Sequence, residues 1–591
     1  PLSPTAPSPA AASEPASTTS ASTAAPSTAA TSAPTAATAD PAATTTAIPA
    51  AASGITLIGS LKLEPFSGEP HADIAAYKNL AFVGKQIRLC PELGVDIIDI
   101  SDPTQPVKLA NAPFSPNTAT EDMQALRIGE RDVLVISLQA CEVGGKQGLD
   151  LVDITDPRQP QRLSLFETDA DVHELNVTVT PDGRTLALLA MPFSEMRSAD
   201  PAGHGGTGDL LIVDISDPAQ PERVSEWGVL DEPQLGPDFF ANAQQGAFPL
   251  VLLHSVRADA TGTRLFLSYW DAGVLILDIT DPAQPVYLGR TEYGPSDEGN
   301  AHSVAANSTG TLLVQADEDF DPTKTVLTSN AFGETHTINQ VRFARPIVAL
   351  DNQTLAGEVV FVGRGCPAGA SEGTAQADAY AADPRGKIAL IERGACGFDQ
   401  KIARAQAAGA VGVILYGRAI GRSETILSQG SDTVVLPDDQ TVKIAVPAVV
   451  VKPEVGQALR DAPGSVTVEV TMAERGWGHL RLFDITNPAR PIALSTFATP
   501  NTRAPNSREG AIYSVHNAEI DGNLMYAAWY NDGVRVIDIA DPTAPREVAA
   551  WTGEGAPEDA PEPLIWSVIP HNGVLLASDM HYGLYILKYM P

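Results

Sequence analysis

Basic residues are scarce in this 591-residue sequence: 38 Lys and Arg stand against 72 Asp and Glu, a formal net charge of −34. That imbalance argues against nucleic acid or an anionic membrane surface as a partner, since either would add repulsion. No apolar run approaches the roughly 20 residues a membrane-spanning helix needs. The metallopeptidase signature H-E-x-x-H is missing too. Cysteine occurs only four times, at Cys90, Cys141, Cys366 and Cys396. An even count supports an oxidising compartment, the alternative being four free buried thiols.

Repetition is what the chain has in plenty. Six copies of one pattern occur: GVDIIDISDPTQP (94–106), GLDLVDITDPRQP (148–160), DLLIVDISDPAQP (209–221), GVLILDITDPAQP (273–285), HLRLFDITNPARP (479–491) and GVRVIDIADPTAP (533–545). The apolar run in each reads as a buried strand. The Asp/Asn-Pro-x-x-Pro after it forces a corner, because Pro fixes φ and lacks the ladder donor. A second strand follows, as in VYLGR (286–290). Between copies lies a hairpin, such as HSVRADATGTRLFLSYW (254–270), with related turns at Asp182-Gly183, Thr309-Gly310, Asp521-Gly522 and Asn572-Gly573. Each unit is therefore four strands.

Successive motif aspartates (Asp99, Asp153, Asp214, Asp278; then Asp484, Asp538) stand 54 to 64 residues apart, a spacing that suits propeller blades. The last unit, 566–588, has only three strands. ITLIGSLKLE (55–64) resembles the outer strand of the other units and is expected to supply the fourth. The expectation is a mainly β, seven-bladed propeller closed by its N-terminal strand, which also protects sheet edges. The repeated apolar-Asp-Ile-Ser/Thr-Asp-Pro unit, over roughly 55–325 and 474–591, resembles the LVIVD-repeat family of extracellular propellers. That resemblance implies a fold and a surface location, without a defined chemistry.

Between Asp278 and Asp484 lie 206 residues, so the fifth blade carries an insert. EVVFVGRG (358–365) and GKIALIERG (386–394) read as strands, FDQKIARAQAAGA (398–410) as a helix, VGVILYG (411–417) as a buried strand, and KIAVPAVVVKPEVGQAL (443–459) as strand then helix. This order implies an α/β module. GKIALIERGACGFDQKIARAQAAGAVGVILY resembles the protease-associated (PA) domain, over about 336–472. The resemblance implies an interaction module or lid, and it makes Cys366 and Cys396 disulfide partners. Cys90 and Cys141 precede equivalent motifs of neighbouring blades, so a bridge between them is geometrically reasonable. The insert leaves after QADEDFDPTK (315–324), between a second and a third strand.

The expected division is 1–53, a disordered tether of Pro, Ala, Ser and Thr; 54–334, propeller; 335–473, PA domain; and 474–591, propeller. The chain starts at Pro1. An export signal and a lipid anchor ahead of residue 1 are therefore expected; a spacer in a freely secreted protein is the other reading.

Five histidines, His71, His173, His254, His302 and His516, each begin an innermost strand; Trp566 holds that place in blade seven and Asp122 in blade two. Asp271, Asp317 (with Glu318 and Asp319), Asp532 and Asp579 (with His581) end the adjacent strands on the same face. One reading is a metal site: histidines with a carboxylate suit Zn, Cu or Fe, and carboxylates alone suit Ca. The other is a hydrogen-bonding device repeated because the blade is repeated. The motif aspartates are expected to hold turn amides. The GHGGTG loop (203–208) lacks the Lys and helix of a phosphate cradle. Asn176, Asn307 and Asn352 lie in glycosylation sequons, relevant only in a glycosylating host.

Two functions remain open. One is an exported, surface-tethered binding propeller for a protein or glycan ligand, in adhesion, surface assembly or ligand capture. The other is a metal-dependent extracellular hydrolase or oxidase, with the insert as lid over a His/Asp-lined channel.

Overall fold

A computed structural model describes residues 54–64, 70–86, 90, 92–192, 209–229, 232–235, 239, 251–295, 297–369, 376–417, 431–436, 440–503 and 510–591. The 1–53 segment and the GHGGTG loop lie outside the described residues.

Each repeat folds as expected. In blade four, Leu253–Ala258, Arg264–Tyr269, Gly273–Asp278 and Val286–Arg290 pair in order as an antiparallel sheet. Seven such blades form, and their innermost strands touch one another around a closed ring. Ring closure is as the sequence suggests: Ile55–Lys62 pairs antiparallel with Gly583–Tyr589 as the outer strand of blade seven. The alternating strands bury a continuous core between blades, with Trp529, Trp551 and Tyr585 fully enclosed.

The Asp-Pro corner has two jobs. Within its blade, the motif aspartate accepts an N–H from the second residue on: Asp99 from Ser101, Asp153 from Thr155, Asp214 from Ser216, Asp278 from Thr280, Asp484 from Thr486 and Asp538 from Ala540. All six are turn-formers. Between blades, the corner's first Pro docks on the outer strand of the preceding blade. Its carbonyl accepts a hydrogen bond from the Ser that lies four residues after that blade's second Pro: Ser164 to Pro218, Ser225 to Pro282 and Ser495 to Pro542. The same place is Gly289 against Pro488 and, across the ring closure, Gly59 against Pro103. Most of these outer strands carry a register shift beside this small residue. Only a small residue fits there, because a neighbouring backbone arrives.

The insert leaves blade five between Leu312–Asp317 and Leu480–Asp484, which pair directly. It is a closed barrel of seven strands with parallel pairing at its centre, where Thr354–Gly363, Ile388–Glu392, Gly412–Tyr416 and Ala448–Val450 lie side by side. Helices Phe398–Ala407 and Pro453–Asp461 pack on it. The expected boundary at 335 is too late. Thr323–Ser329 is a barrel strand, paired residue for residue with residues 468–474 of the strand Val466–Glu474. The entering and leaving strands thus zip together, which a reading of local pattern does not reveal. Both disulfides form, Cys90–Cys141 between loops of blades one and two, and Cys366–Cys396 in the insert.

Candidate functional site

Each innermost strand opens with a β-bulge. In blades four, five and seven the register skips at His254, His302 and Trp566. In blades three and six one residue of the second strand bonds two consecutive residues: Ala190 joins His173 and Glu174, and Ala528 joins His516 and Asn517. A bulge places two residues opposite one and re-aims the extra side chain. The result is two layers lining the channel. One consists of Glu121, His173, His254, His302, His516 and Trp566. The next residue along gives Asp73, Asp122, Glu174, Ser255, Ser303, Asn517 and Ser567.

In the first layer the rings touch from blade to blade, edge-on or tilted rather than face to face. Centroid separations are 4.3 Å for His173–His254, 4.0 Å for His254–His302, 4.2 Å for His302–His516 and 4.0 Å for His516–Trp566. At one end His173 Nδ1 lies 3.3 Å from Glu121 Oε2 and 3.3 Å from Gln139 Oε1, and its Nε2 is 2.9 Å from His254 Nε2. At the other end the side chain of Glu318 reaches two rings. His302 Nε2 is 3.7 Å from Glu318 Oε2, and His516 Nε2 is 3.8 Å from Glu318 Oε1. The Tyr530 hydroxyl donates to Glu318 Oε1. His302 and His516 are each 1% exposed and Glu318 4%.

Burial sets the protonation. It holds His516 down to about 3, and it puts His254 and His302 well below the usual imidazole range, with neighbouring imidazoles adding to the effect. The backbone of the next blade's aligned residue works weakly against this, Trp566 beside His516 and His516 beside His302. Among the described residues His516 Nδ1 and Nε2 and His302 Nδ1 make no hydrogen bond. His173 differs: burial would lower it, but Glu121, Asp73 and Asp122 together raise it. Burial likewise pushes Asp122 up to about 6 and Asp73 and Glu174 well above the carboxylate range, with mutual repulsion among the acids adding to the rise in Asp73 and Glu174. Asp73 accepts from Asn517 Nδ2 at 2.9 Å, and Arg257 pairs with Glu519 at 2.9 Å deeper in the channel.

The structure thus joins four of the five expected histidines and separates the fifth. His71 sits one residue before the bulge. Ala72 takes the aligned place, as Glu121 does instead of Asp122. His71 Nδ1 instead lies 3.3 Å from Lys85 Nζ, beside the buried Lys85–Asp96 pair at 2.5 Å. None of the four expected aspartates joins the imidazoles. Asp271 accepts from Asn300 N–H, and Asp579 from the amides of Leu564, His581 and Tyr582. Asp317 pairs with Arg481 at 2.5 Å, and Asp532 with Arg535 at 3.3 Å. Each sits at a tight turn whose amides or adjacent cation it satisfies. In the channel the carboxylates that meet imidazoles are Glu121, Glu174 and Glu318; Glu318 was expected at this mouth beside Asp317, whereas Glu121 and Glu174 were signalled only by their neighbours Asp122 and His173. Among the described residues, two sets of three side chains bring ligand atoms within 4.8 Å of one another, His173–Glu174–His254 and His302–Glu318–His516. Asn176 is not free for a glycan: it is buried and its Oδ1 accepts from Ala258 N–H.

A second feature lies where the insert departs. A recess of about 150 Å³ is lined by blade-five residues Asp297, Asn300 and Asp317 and by hinge residues Lys324, Arg475 and Trp477. Lys324 pairs with Glu298 and Asp319, and Arg481 with Asp297 and Asp317. Among the described residues the buried Trp477 indole N–H finds no partner and Arg475 makes no ion pair.

The LVIVD repeat model matches residues 72–111, 205–227, 262–292 and 514–552, and the PA domain model matches 354–459. No curated protein matches the sequence. Among solved structures, a zinc aminopeptidase from Bacillus subtilis (BSAP) is 22% identical over 29% of this chain and 36% of its own, with a TM-score of 0.17. The chain therefore spans little more than a third of that enzyme. The Myceliophteria thermophila Cps50 (Swd1) β-propeller domain is 10% identical over 89% of this chain and 98% of its own, TM-score 0.41. Saccharomyces cerevisiae Sqt1 is 9% identical over 90% and 100%, TM-score 0.39. No helix among the described residues is long and apolar enough to cross a membrane. The repeats, the closed ring of seven blades and the spliced barrel together make this chain an LVIVD-repeat β-propeller with a PA domain in its fifth blade.

Proposed function

We propose that the protein is an exported, surface-associated propeller that captures a protein or glycan ligand at the junction of blade five and the PA domain. The observation that carries this is the junction recess. It is concave, walled by both modules, and offers two donors that no described residue takes up, the buried Trp477 N–H and the Arg475 guanidinium. Such convergent polar groups are what ligand sites present. Two disulfides favour an oxidising, extracellular setting. The test is a screen of the purified full chain on glycan arrays and displayed peptides, repeated with Arg475→Ala and Trp477→Phe. Ligands captured by the wild type should be lost by both variants while their circular dichroism is unchanged. If captured ligands bind the variants equally well, or nothing binds at all, the reading falls.

A metal-dependent hydrolase or oxidase is the second reading, favoured by the buried imidazole row beside Glu318. It requires turnover that disappears in His302→Gln, and metal-replete protein inert toward ester, phosphoester and phenolic substrates would dismiss it.

A further inference from the structure

The two imidazole–carboxylate trios in the channel are not equivalent. In His173–Glu174–His254 the imidazoles already have partners: Nε2 faces Nε2 at 2.9 Å, a hydrogen bond in which one ring donates and the other accepts. His173 Nδ1 is also met, by Glu121 and Gln139. Among the described residues His254 Nδ1 makes no hydrogen bond and lies 3.5 Å from Glu174 Oε1, but His173 Nε2, the other nitrogen a shared ion would need, is already taken by His254 Nε2.

His302–Glu318–His516 is different. The two Nε2 atoms face the two carboxylate oxygens at 3.7 and 3.8 Å, too far for a hydrogen bond. His516 Nε2 is buried and has no hydrogen bond among the described residues. Two ligand atoms bound tetrahedrally about 2.1 Å from one ion stand about 3.4 Å apart, close to the separations seen. The other requirements are met as well. Tyr530 donates to Glu318 and orients the carboxylate, as an outer partner of a metal ligand does. Trp566 packs on His516, and Trp270 lies near His302, a dry aromatic surround. Two imidazoles and one carboxylate suit a divalent transition ion and are poor ligands for Ca or Mg.

We infer that His302, Glu318 and His516 form a mononuclear transition-metal site, of the zinc or ferrous class, and that the adjoining histidine trio does not bind metal. The ion bridges blades five and six from inside the channel, next to where the insert departs. This goes beyond the capture reading and does not depend on it.

The experiment is metal titration of the chelator-treated full chain with Zn²⁺ followed calorimetrically, and with Co²⁺ followed by its visible spectrum. The wild type should take up one equivalent, with Co²⁺ giving the intense bands of low coordination number. His302→Gln, His516→Gln and Glu318→Gln should each weaken binding at least about 100-fold, and Tyr530→Phe about tenfold. His173→Gln should leave stoichiometry and affinity within about twofold. Circular dichroism identifies any variant that fails to fold; Glu318→Gln and Tyr530→Phe, closest in shape, then decide. Absence of stoichiometric uptake by the wild type overturns the assignment. So do two equivalents, or a loss in His173→Gln equal to that in His516→Gln.

Discussion

Gly59 is where the ring is sealed, and adding one carbon there should unfasten it. A Cβ at Gly59 would lie 2.0 Å from the Pro103 carbonyl oxygen and 3.1 Å from its carbon. Both obstacles are backbone, so no side chain can swing away. The outer strand of blade seven must move from blade one by about 1 Å, an overpacking that costs about 1–3 kcal/mol. The lost flexibility of the unfolded chain returns at most about 1 kcal/mol. Hydrogen exchange reads the result locally. Amides of Ile55–Lys62, paired with Gly583–Tyr589, should exchange roughly ten- to thirtyfold faster in Gly59→Ala, since about 1.4 kcal/mol is a factor of ten. Amides in the middle of blade three should change little. Gly333→Ala, where a Cβ meets nothing within 4 Å, is the control. Ser225→Ala, which loses the equivalent hydrogen bond to Pro282 without a clash, should cost only about 1 kcal/mol. Wild-type exchange of Ile55–Lys62 in Gly59→Ala would refute the idea that corner-to-strand docking closes the ring.

Acid should destabilise the fold through buried neutral imidazoles. Burial, with Lys85 beside it, lowers His71 to about 3. The unfolded chain therefore binds a proton that the native chain refuses between about pH 6.5 and pH 3. Stability from this group is complete above pH 6.5 and is lost as pH falls through that window, up to about 5 kcal/mol. Urea titrations from pH 7 to pH 4 should show a shallower loss for His71→Gln; parallel curves would contradict this. Asp122, raised to about 6, acts in the opposite sense between about pH 6 and pH 4 and partly offsets it. Cys90→Ser with Cys141→Ser opens a 51-residue loop and should cost up to about 4 kcal/mol, seen as a lower melting temperature. An unchanged melting temperature would mean that the blades hold those loops without the bridge.

Much of the fold is written locally. The alternation of VLILDI, the Pro pair after it and the Gly turns fix strand, corner and hairpin within a dozen residues. Counting those units gives seven blades, and the missing fourth strand identifies Ile55–Lys62 as the closure. The insert was legible because its period changes. Its true start at Thr323 was not, since the full length of that strand is paired only by a segment about 140–150 residues later, ending at Glu474.

The channel shows the same division more sharply. That histidines recur near the start of inner strands is plain from the sequence. Which of them meet is decided by a bulge, a shift of one residue that leaves apolar alternation nearly intact while exchanging the faces of its neighbours. His71 and Ala72 trade places for that reason, as do Asp122 and Glu121. The carboxylate that reaches two imidazoles, Glu318, is adjacent to the Asp317 that pairs with Arg481 instead. Chain chemistry of short range thus determined the blades, whereas contacts between blades depend on the curvature of the closed ring, and only the tertiary structure could decide them.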